Sequence, residues 1–273
     1  MTDPRPFSAV VARLRAAGCV FAEDEARLLL GATADRAELS TLVDRRVAGE
    51  PLEHLLGWAE FRGLRVAVDP GVFVPRRRTG FLAQQAIDLA RPHAVVLDLC
   101  CGSGAVGLAV AAEQSDVELH AADVDPVAVA CARRNTAAVG GRVYEGDLFG
   151  PLPLGLRGRV DVLVANVPYV PSGEIARMPP EARDHEPRTA LDGGPDGLDV
   201  ARRVIAGGPG WLAPGGSLLF ETSEQQAPVA TALVRAAGLA ARVAEDDELG
   251  ATVVVGTIAP RDEFGRPIRS ALA

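Results

Sequence analysis

The 273-residue sequence predicts an α/β protein: a small helical segment at the N-terminus, followed by a largely parallel sheet of seven strands. Three observations carry that expectation. Residues 1 to about 50 place apolar side chains at helical spacing. From Ala94 onward, short apolar runs alternate with helical stretches, the pattern of a parallel sheet with right-handed crossovers. The last two apolar runs are joined only by a short turn, which makes them an antiparallel pair.

The elements follow in order. Phe7, Val10, Val11 and Leu14 share one helical face, and Gly18 can end that helix. A second helix is expected over Glu23–Leu30 and a third from about Arg36 to Val47. Alternation in GLRVAVDP, with the turn pair Pro70-Gly71, predicts a short hairpin or an extended linker, and a boundary falls near residue 75. The candidate strands are AVVLDL, VELHAAD, GRVYEGD, RVDVLVAN, GSLLFET, LAARVAEDD and GATVVVGTI. SGAVGLAVAAE and DPVAVACARRNTAA are the helical stretches between the early ones. Asp125-Pro126 reads as a helix N-cap followed by proline at the first helical position. The tail RDEFGRPIRSALA, residues 261–273, is expected to be poorly ordered.

Composition narrows the chemistry. No apolar run is long enough for a bilayer, and MTDPRPFSAVVARLRAAG lacks the layout of a signal peptide, so a soluble cytoplasmic protein is expected. Cys19, Cys100, Cys101 and Cys131 show neither a disulfide framework nor metal-ligand spacing and read as reduced, buried thiols, with no metal site. A net charge of −8 argues against a protein that coats nucleic acid. The sequence has no lysine, which excludes P-loop, Schiff-base and lysine-linked cofactor chemistry together.

The first strand runs into Asp98-Leu-Cys-Cys-Gly102-Ser-Gly104-Ala-Val-Gly107 and then a helix. Such glycines permit a tight turn and let a ligand approach the backbone. Alone, Gly102, Gly104 and Gly107 would mark no more than a close-packed strand-to-helix turn. Asp98 stands on that strand, Asp123 ends the second, where a carboxylate can accept both hydroxyls of a ribose, and Asp147 ends the third with Leu148 beside it as an apolar wall for a purine. The fourth strand stops at Asn166-Val167-Pro168-Tyr169. Successive strand ends thus carry polar groups toward one sheet edge, where open α/β sheets bind their ligands.

In these residues the chain resembles the seven-stranded, Rossmann-like S-adenosylmethionine methyltransferases, and among them the HemK/PrmC family of protein-(glutamine-N5) methyltransferases. The family's N-P-P-Y signature appears as Asn166-Val167-Pro168-Tyr169, and RRVAGEPLEHLLGWAEFRGL and EPRTALDGGPDGLDVARRVI are also similar to it. The resemblance implies that Asp98, Cys100, Gly102, Gly104 and the loop backbone hold the methionine part of S-adenosylmethionine. It implies that Asp123 holds the ribose, and that Asp147 and Leu148 face the adenine. Asn166, Val167, Pro168 and Tyr169 would orient the acceptor amide, with Asn166 also beside the cofactor. Residues 1–75 become a helical substrate-recognition domain, 76–260 the methyltransferase domain. The implied partner is a protein, a class 1 peptide chain release factor methylated on its Gly-Gly-Gln glutamine, with neither membrane nor direct nucleic-acid contact.

Three departures stand out. Cys100 replaces the usual first glycine of the loop, Val167 the first signature proline, and Val74-Pro75-Arg76-Arg77-Arg78-Thr79-Gly80 a segment that commonly reads I-P-R-P-D-T-E. The arginines are either a solvated face or a rebuilt substrate entrance. Rival readings remain: an adenine-N6 or guanine-N2 nucleic-acid methyltransferase, which would need a basic track; a nicotinamide-dependent oxidoreductase, which leaves Asn166–Tyr169 unexplained; and a binding module that has lost its chemistry.

Overall fold

The computed structural model describes residues 4–260, with side chains from Phe7 onward; the expectation for 261–273 lies outside the described residues. Helices α1 (Pro4–Ala16), α2 (Ala22–Ala32) and α3 (Arg36–Val47) pack Val10, Leu14, Ala26, Leu29 and Val43 into a core of their own. The Asp35 side chain caps α3 by accepting from the Ala37 and Glu38 N–H groups. A short α4 (Leu52–Leu56) ends at left-handed Gly57.

The hairpin follows as β1 (Trp58–Phe61) and β2 (Leu64–Ala67). Its turn is Arg62-Gly63, not Pro70-Gly71: both turn residues have positive φ, +52° and +77°, the twist a two-residue hairpin requires. Pro70-Gly71 bends the linker after β2 instead, with Val72 N–H bonded to the Asp69 carbonyl. Phe61 and Val66 of the hairpin pack into the sheet's core beside Leu82 of α5 (Thr79–Leu89). α5 carries no start signal in the sequence, because its N-cap residue Arg78 makes no capping hydrogen bond.

The remaining elements are β3 (Val95–Leu99), α6 (Ala105–Glu113), β4 (Glu118–Asp123), α7 (Pro126–Thr136), β5 (Arg142–Glu145), β6 (Val160–Ala165), α8 (Pro180–His185), α9 (Asp199–Gly207), β7 (Leu212–Thr222), α10 (Ala227–Ala236), β8 (Ala240–Asp246) and β9 (Ala251–Thr257). All seven expected sheet strands are present, in the order β5-β4-β3-β6-β7-β9-β8. β3 to β7 pair in parallel, and β9 runs antiparallel to both β7 and β8. Asp125 caps α7 by accepting from Val127 N–H, with Pro126 at its start.

Successive strand residues point to opposite faces. Val96, Val162 and Val164 meet α5 and α6, while Leu97, Leu163 and Phe220 meet α9 and α10. Both faces are covered, which is why these strands read as continuous apolar runs. The chain order reverses between β3 and β6, since β3 pairs with β4 on one side and β6 on the other. A cleft opens at the carboxyl ends of these strands, where such sheets bind ligands.

Candidate active site

One cavity of about 350 Å³ is lined by Asp98, Cys100, Gly102, Asp123, Asp147 and Leu148 on one side, and by Asn166, Val167, Pro168 and Tyr169 on the other. Gly104 is not on that lining. It starts α6 at φ +77°, and a β-carbon there would stand 3.2 Å from the Ala132 side chain, so its smallness serves the packing of α6 on α7. Gly107 acts similarly, because a β-carbon would meet Leu119 at 2.8 Å and Asp98 Oδ2 at 3.1 Å.

Asp98 is almost fully buried. Its Oδ2 accepts the Gly107 N–H at 2.9 Å, while Oδ1 has no partner. Burial, opposed by that hydrogen bond, pushes its carboxyl up to about 7. A buried acceptor without a partner in a ligand-sized cleft suits a cation, and the ammonium of an amino-acid moiety is a fitting group. Asp123 Oδ2 accepts from Gly102 N–H at 2.8 Å and Oδ1 from Asp125 N–H at 3.0 Å. Each oxygen retains capacity for a second bond, as a pair of ribose hydroxyls demands. Cys100 adopts φ +52°, a conformation that favours glycine, and burial raises its thiol, so it remains protonated. All four cysteines are free; Cys101 and Cys131 are buried, while Cys19 and Cys100 keep a little solvent exposure.

Asp147 lies two residues beyond β5, not on it, and is paired with Arg203 of α9. Leu148, at φ +47°, turns a buried apolar side chain onto the cleft. The charged and apolar walls expected for ribose and adenine therefore stand on one surface.

The wall that carries Asn166–Tyr169 is built by loops distant in sequence. Neither the Asn166 carboxamide nor the Val167 carbonyl makes a hydrogen bond among the described residues, so both acceptor oxygens are uncommitted. Val170 N–H bonds to the Leu191 carbonyl and Gly193 N–H to the Val170 carbonyl, a bridge that backs the signature with the segment EPRTALDGGPDG. The glycines of that segment permit close approach: a β-carbon on Gly193 would lie 2.6 Å from the Pro168 oxygen, and one on Gly197 2.3 Å from the Tyr169 oxygen. Gln226 completes the brace, donating to the carbonyls of Tyr169 at 2.9 Å and Asp196 at 2.8 Å.

Residues that the sequence reading did not single out finish the site. The Tyr169 hydroxyl donates to Glu221 Oε1 at 2.8 Å, and burial together with that carboxylate raises the phenol, so it stays a neutral donor. Glu221 occupies the end of β7, the same edge as Asp98, Asp123 and Asn166, and that shared position is the signal that could have found it. The arginine run is not simply a solvated face. A terminal nitrogen of Arg76 lies 2.6 Å from both oxygens of buried Glu186, which also accepts the Val74 N–H. Arg46 of α3 binds Glu25 of α2 at 2.6 Å and Glu181 of α8 at 2.6 Å, tying the helical bundle to the segment after the signature. Nearby, Glu224, Glu245, Asp246 and Asp247 surround an adjoining cavity, an unfavourable surface for a polyanion. Among the described residues, no cluster of His, Cys, Asp and Glu could hold a metal, and no helix is long and apolar enough to cross a membrane.

Comparisons with known proteins agree with this architecture. The family profile described as Methyltransferase small domain matches residues 63–178. The release factor glutamine methyltransferase of Geobacter sulfurreducens is 38% identical over 79% of this chain and 75% of its own length. That of Streptomyces coelicolor is 42% identical over 68% and 67%, and that of Moorella thermoacetica 35% identical over 87% and 91%. Among solved structures, a methyltransferase from Pyrococcus furiosus superposes with a TM-score of 0.55 at 16% identity, covering 80% of this chain and 98% of its own. The Thermus thermophilus 16S rRNA N2 G1207 methyltransferase, solved with AdoMet and guanosine, superposes with a TM-score of 0.53 at 19% identity, covering 74% of this chain and 49% of its own. At these identities the structures share the fold, while the sequence relatives set the family. The chain belongs to the family of release factor glutamine methyltransferases.

Proposed function

We propose that this chain is a cytoplasmic S-adenosylmethionine-dependent methyltransferase whose acceptor is the side-chain amide nitrogen of a protein glutamine, in the Gly-Gly-Gln loop of a class 1 release factor. The carrying observation is the pair of uncommitted acceptors, the Asn166 side chain and the Val167 carbonyl, at the floor of a cleft whose opposite wall is Asp98 and Asp123. S-Adenosylmethionine supplies an electrophilic methyl group already activated by its sulfonium.

The chain's task is therefore positioning. An amide nitrogen is a poor nucleophile because its lone pair is delocalised into the carbonyl. Asn166 Oδ1 and the Val167 carbonyl can each accept one N–H of the acceptor amide and hold the nitrogen toward the methyl. Pro168 offers no competing N–H and fixes the backbone. The Tyr169 ring, held by Glu221, supplies a flat surface for the planar amide. The methylated nitrogen is strongly acidic and gives its extra proton to water, so no strong base is required. On the cofactor side, Asp98 would hold the ammonium and Asp123 the ribose hydroxyls, and Asp147 with Leu148 would flank the purine. Residues 1–75 act in recognition, and the Arg46–Glu181 pair supports that role by coupling the bundle to the acceptor loop.

Intact-mass analysis after incubation with cofactor tests the reading. A release factor should gain one methyl group mapping to its Gly-Gly-Gln glutamine, and a short peptide of the same sequence should react far less efficiently. An unmodified release factor in the presence of bound cofactor would reject the substrate assignment. Equal efficiency on peptide and protein would reject the recognition role of the helical domain.

A further inference from the structure

The three arginines before α5 have different fates. Arg76 is committed to Glu186, and Arg77 is exposed. Arg78 is anchored along one edge: its Nε lies 3.0 Å from Glu221 Oε1, and its guanidinium carbon lies 5.4 Å from the centroid of the Tyr169 ring. Neither terminal nitrogen makes a hydrogen bond among the described residues, yet the side chain lines the cleft and is 47% exposed. The ion pair at Nε and the Tyr169 ring beside the guanidinium restrict where it sits, and its remaining N–H groups form a planar fork.

The surrounding charge selects what that fork can bind. Arg78 and Glu221 neutralise one another, while the second oxygen of Glu221 is buried without a partner. Beyond this pair lies a second cavity of about 370 Å³, which shares Arg78, Tyr169 and Glu221 with the cleft. Its walls include Glu224, Glu245, Asp246 and Asp247, none of which pairs with a cation among the described residues. An acidic ligand would be repelled there. A neutral oxygen, such as a peptide carbonyl, accepts from the fork without that penalty.

We propose that Arg78 is a substrate-positioning residue whose terminal nitrogens donate to main-chain carbonyl oxygens of the acceptor segment beside the target glutamine. The segment then crosses the Tyr169 ring, and the glutamine side chain reaches down to Asn166 and Val167. This assignment rests on the proposed glutamine methylation and deepens it. It also gives a role to an arginine standing where the family commonly carries an acidic residue.

Steady-state kinetics of the wild type, Arg78→Lys and Arg78→Gln, on a Gly-Gly-Gln peptide and on an intact release factor, test the idea alongside cofactor calorimetry and thermal melting. Loss of the fork should raise KM for both substrates about tenfold in both variants, the scale of a lost charge-assisted hydrogen bond. The turnover number and cofactor affinity should stay within about twofold. Lysine keeps the charge beside Glu221, so its melting temperature should match the wild type while its KM does not. If lysine restores KM along with stability, Arg78 serves only to neutralise Glu221 and the proposal is overturned. A KM within about twofold of wild type in both variants overturns it as well. A wild type that binds cofactor but methylates neither substrate would instead sink the proposed function, a result separable from any difference among the variants.

Discussion

The two halves of the cleft are built on different principles. The half proposed for the cofactor takes its polar groups from the ends of adjacent parallel strands: Asp98 from β3, Asp123 from β4, and the glycine turn that follows β3. Its parts are close in sequence and bonded to their own backbone. The half proposed for the acceptor gathers a linker, the signature loop, the segment from Glu186 to Gly197 and the end of β7. Its parts are held by buried carboxylates and by glycines that allow two backbones to touch. A local turn can present a common cofactor, whereas gripping an amide needs several loops in register, and a displacement of about 1 Å costs roughly a hundredfold in rate.

The sharpest break of this comparison is Asn166→Ala. Turnover should fall by ~10²–10³-fold, the loss associated with removing one oriented polar group from a reacting centre. Cofactor affinity by calorimetry should hardly move. Near-normal turnover would show that the amide is not oriented here. Gly193→Ala should come next, since its β-carbon would sit 2.6 Å from both the Pro168 and Gly197 oxygens. Displacing the signature should lower turnover about a hundredfold, with cofactor binding again preserved; parallel losses in both assays would mean that the two halves are not separable.

Asp123→Ala reverses the pattern. A charge-assisted hydrogen bond to a ribose hydroxyl contributes ~1.5–3 kcal/mol, so the loss of even one should weaken cofactor affinity by ~10–100-fold. Turnover at saturating cofactor should stay close to wild type, and an unchanged affinity would move the ribose site elsewhere.

The smallest effect is a pH dependence confined to the cofactor half. The Asp98 carboxyl titrates at about 7 in the fold against an ordinary 3.8. A raised carboxylate value means that this group stabilises the unliganded fold most at acid pH and loses that contribution as pH rises through about 7. Only the ionised form can hold an ammonium, so cofactor affinity should decline as pH falls below about 7, and binding near neutrality should release a proton. Calorimetry in buffers of different ionisation enthalpy measures that proton. Asp98→Asn should abolish the release, and a release that persists in the variant would assign it to another group.

Much of this could be read directly from the sequence. The three bundle helices, the seven sheet strands, the capped start of α7 and the family were all legible because each leaves a periodic or local pattern. Helices α5 and α8 to α10 were not singled out. α8 has only six residues, and α5 and α10 start without a capping side chain. Of the two alternatives at Pro70-Gly71 the linker holds, while the hairpin turns at Arg62-Gly63, which has the backbone twist that joins two short strands.

By itself, then, the sequence determined the strand-and-helix alternation, the acids at successive strand ends and the signature that closes β6. Those features depend on neighbours a few residues apart, where propensity and periodicity act. The tertiary structure alone decided which carboxylate receives which arginine: Arg76 meets Glu186 across 110 residues, and Arg78, at the start of α5, meets Glu221 near the end of β7. It also decided that Gly104 packs against α7 while Cys100 takes the strained turn beside it. Pairings at that distance leave no periodic trace in a single chain, because they are selected by the burial of charge after the elements have docked and not by the order in which the residues occur.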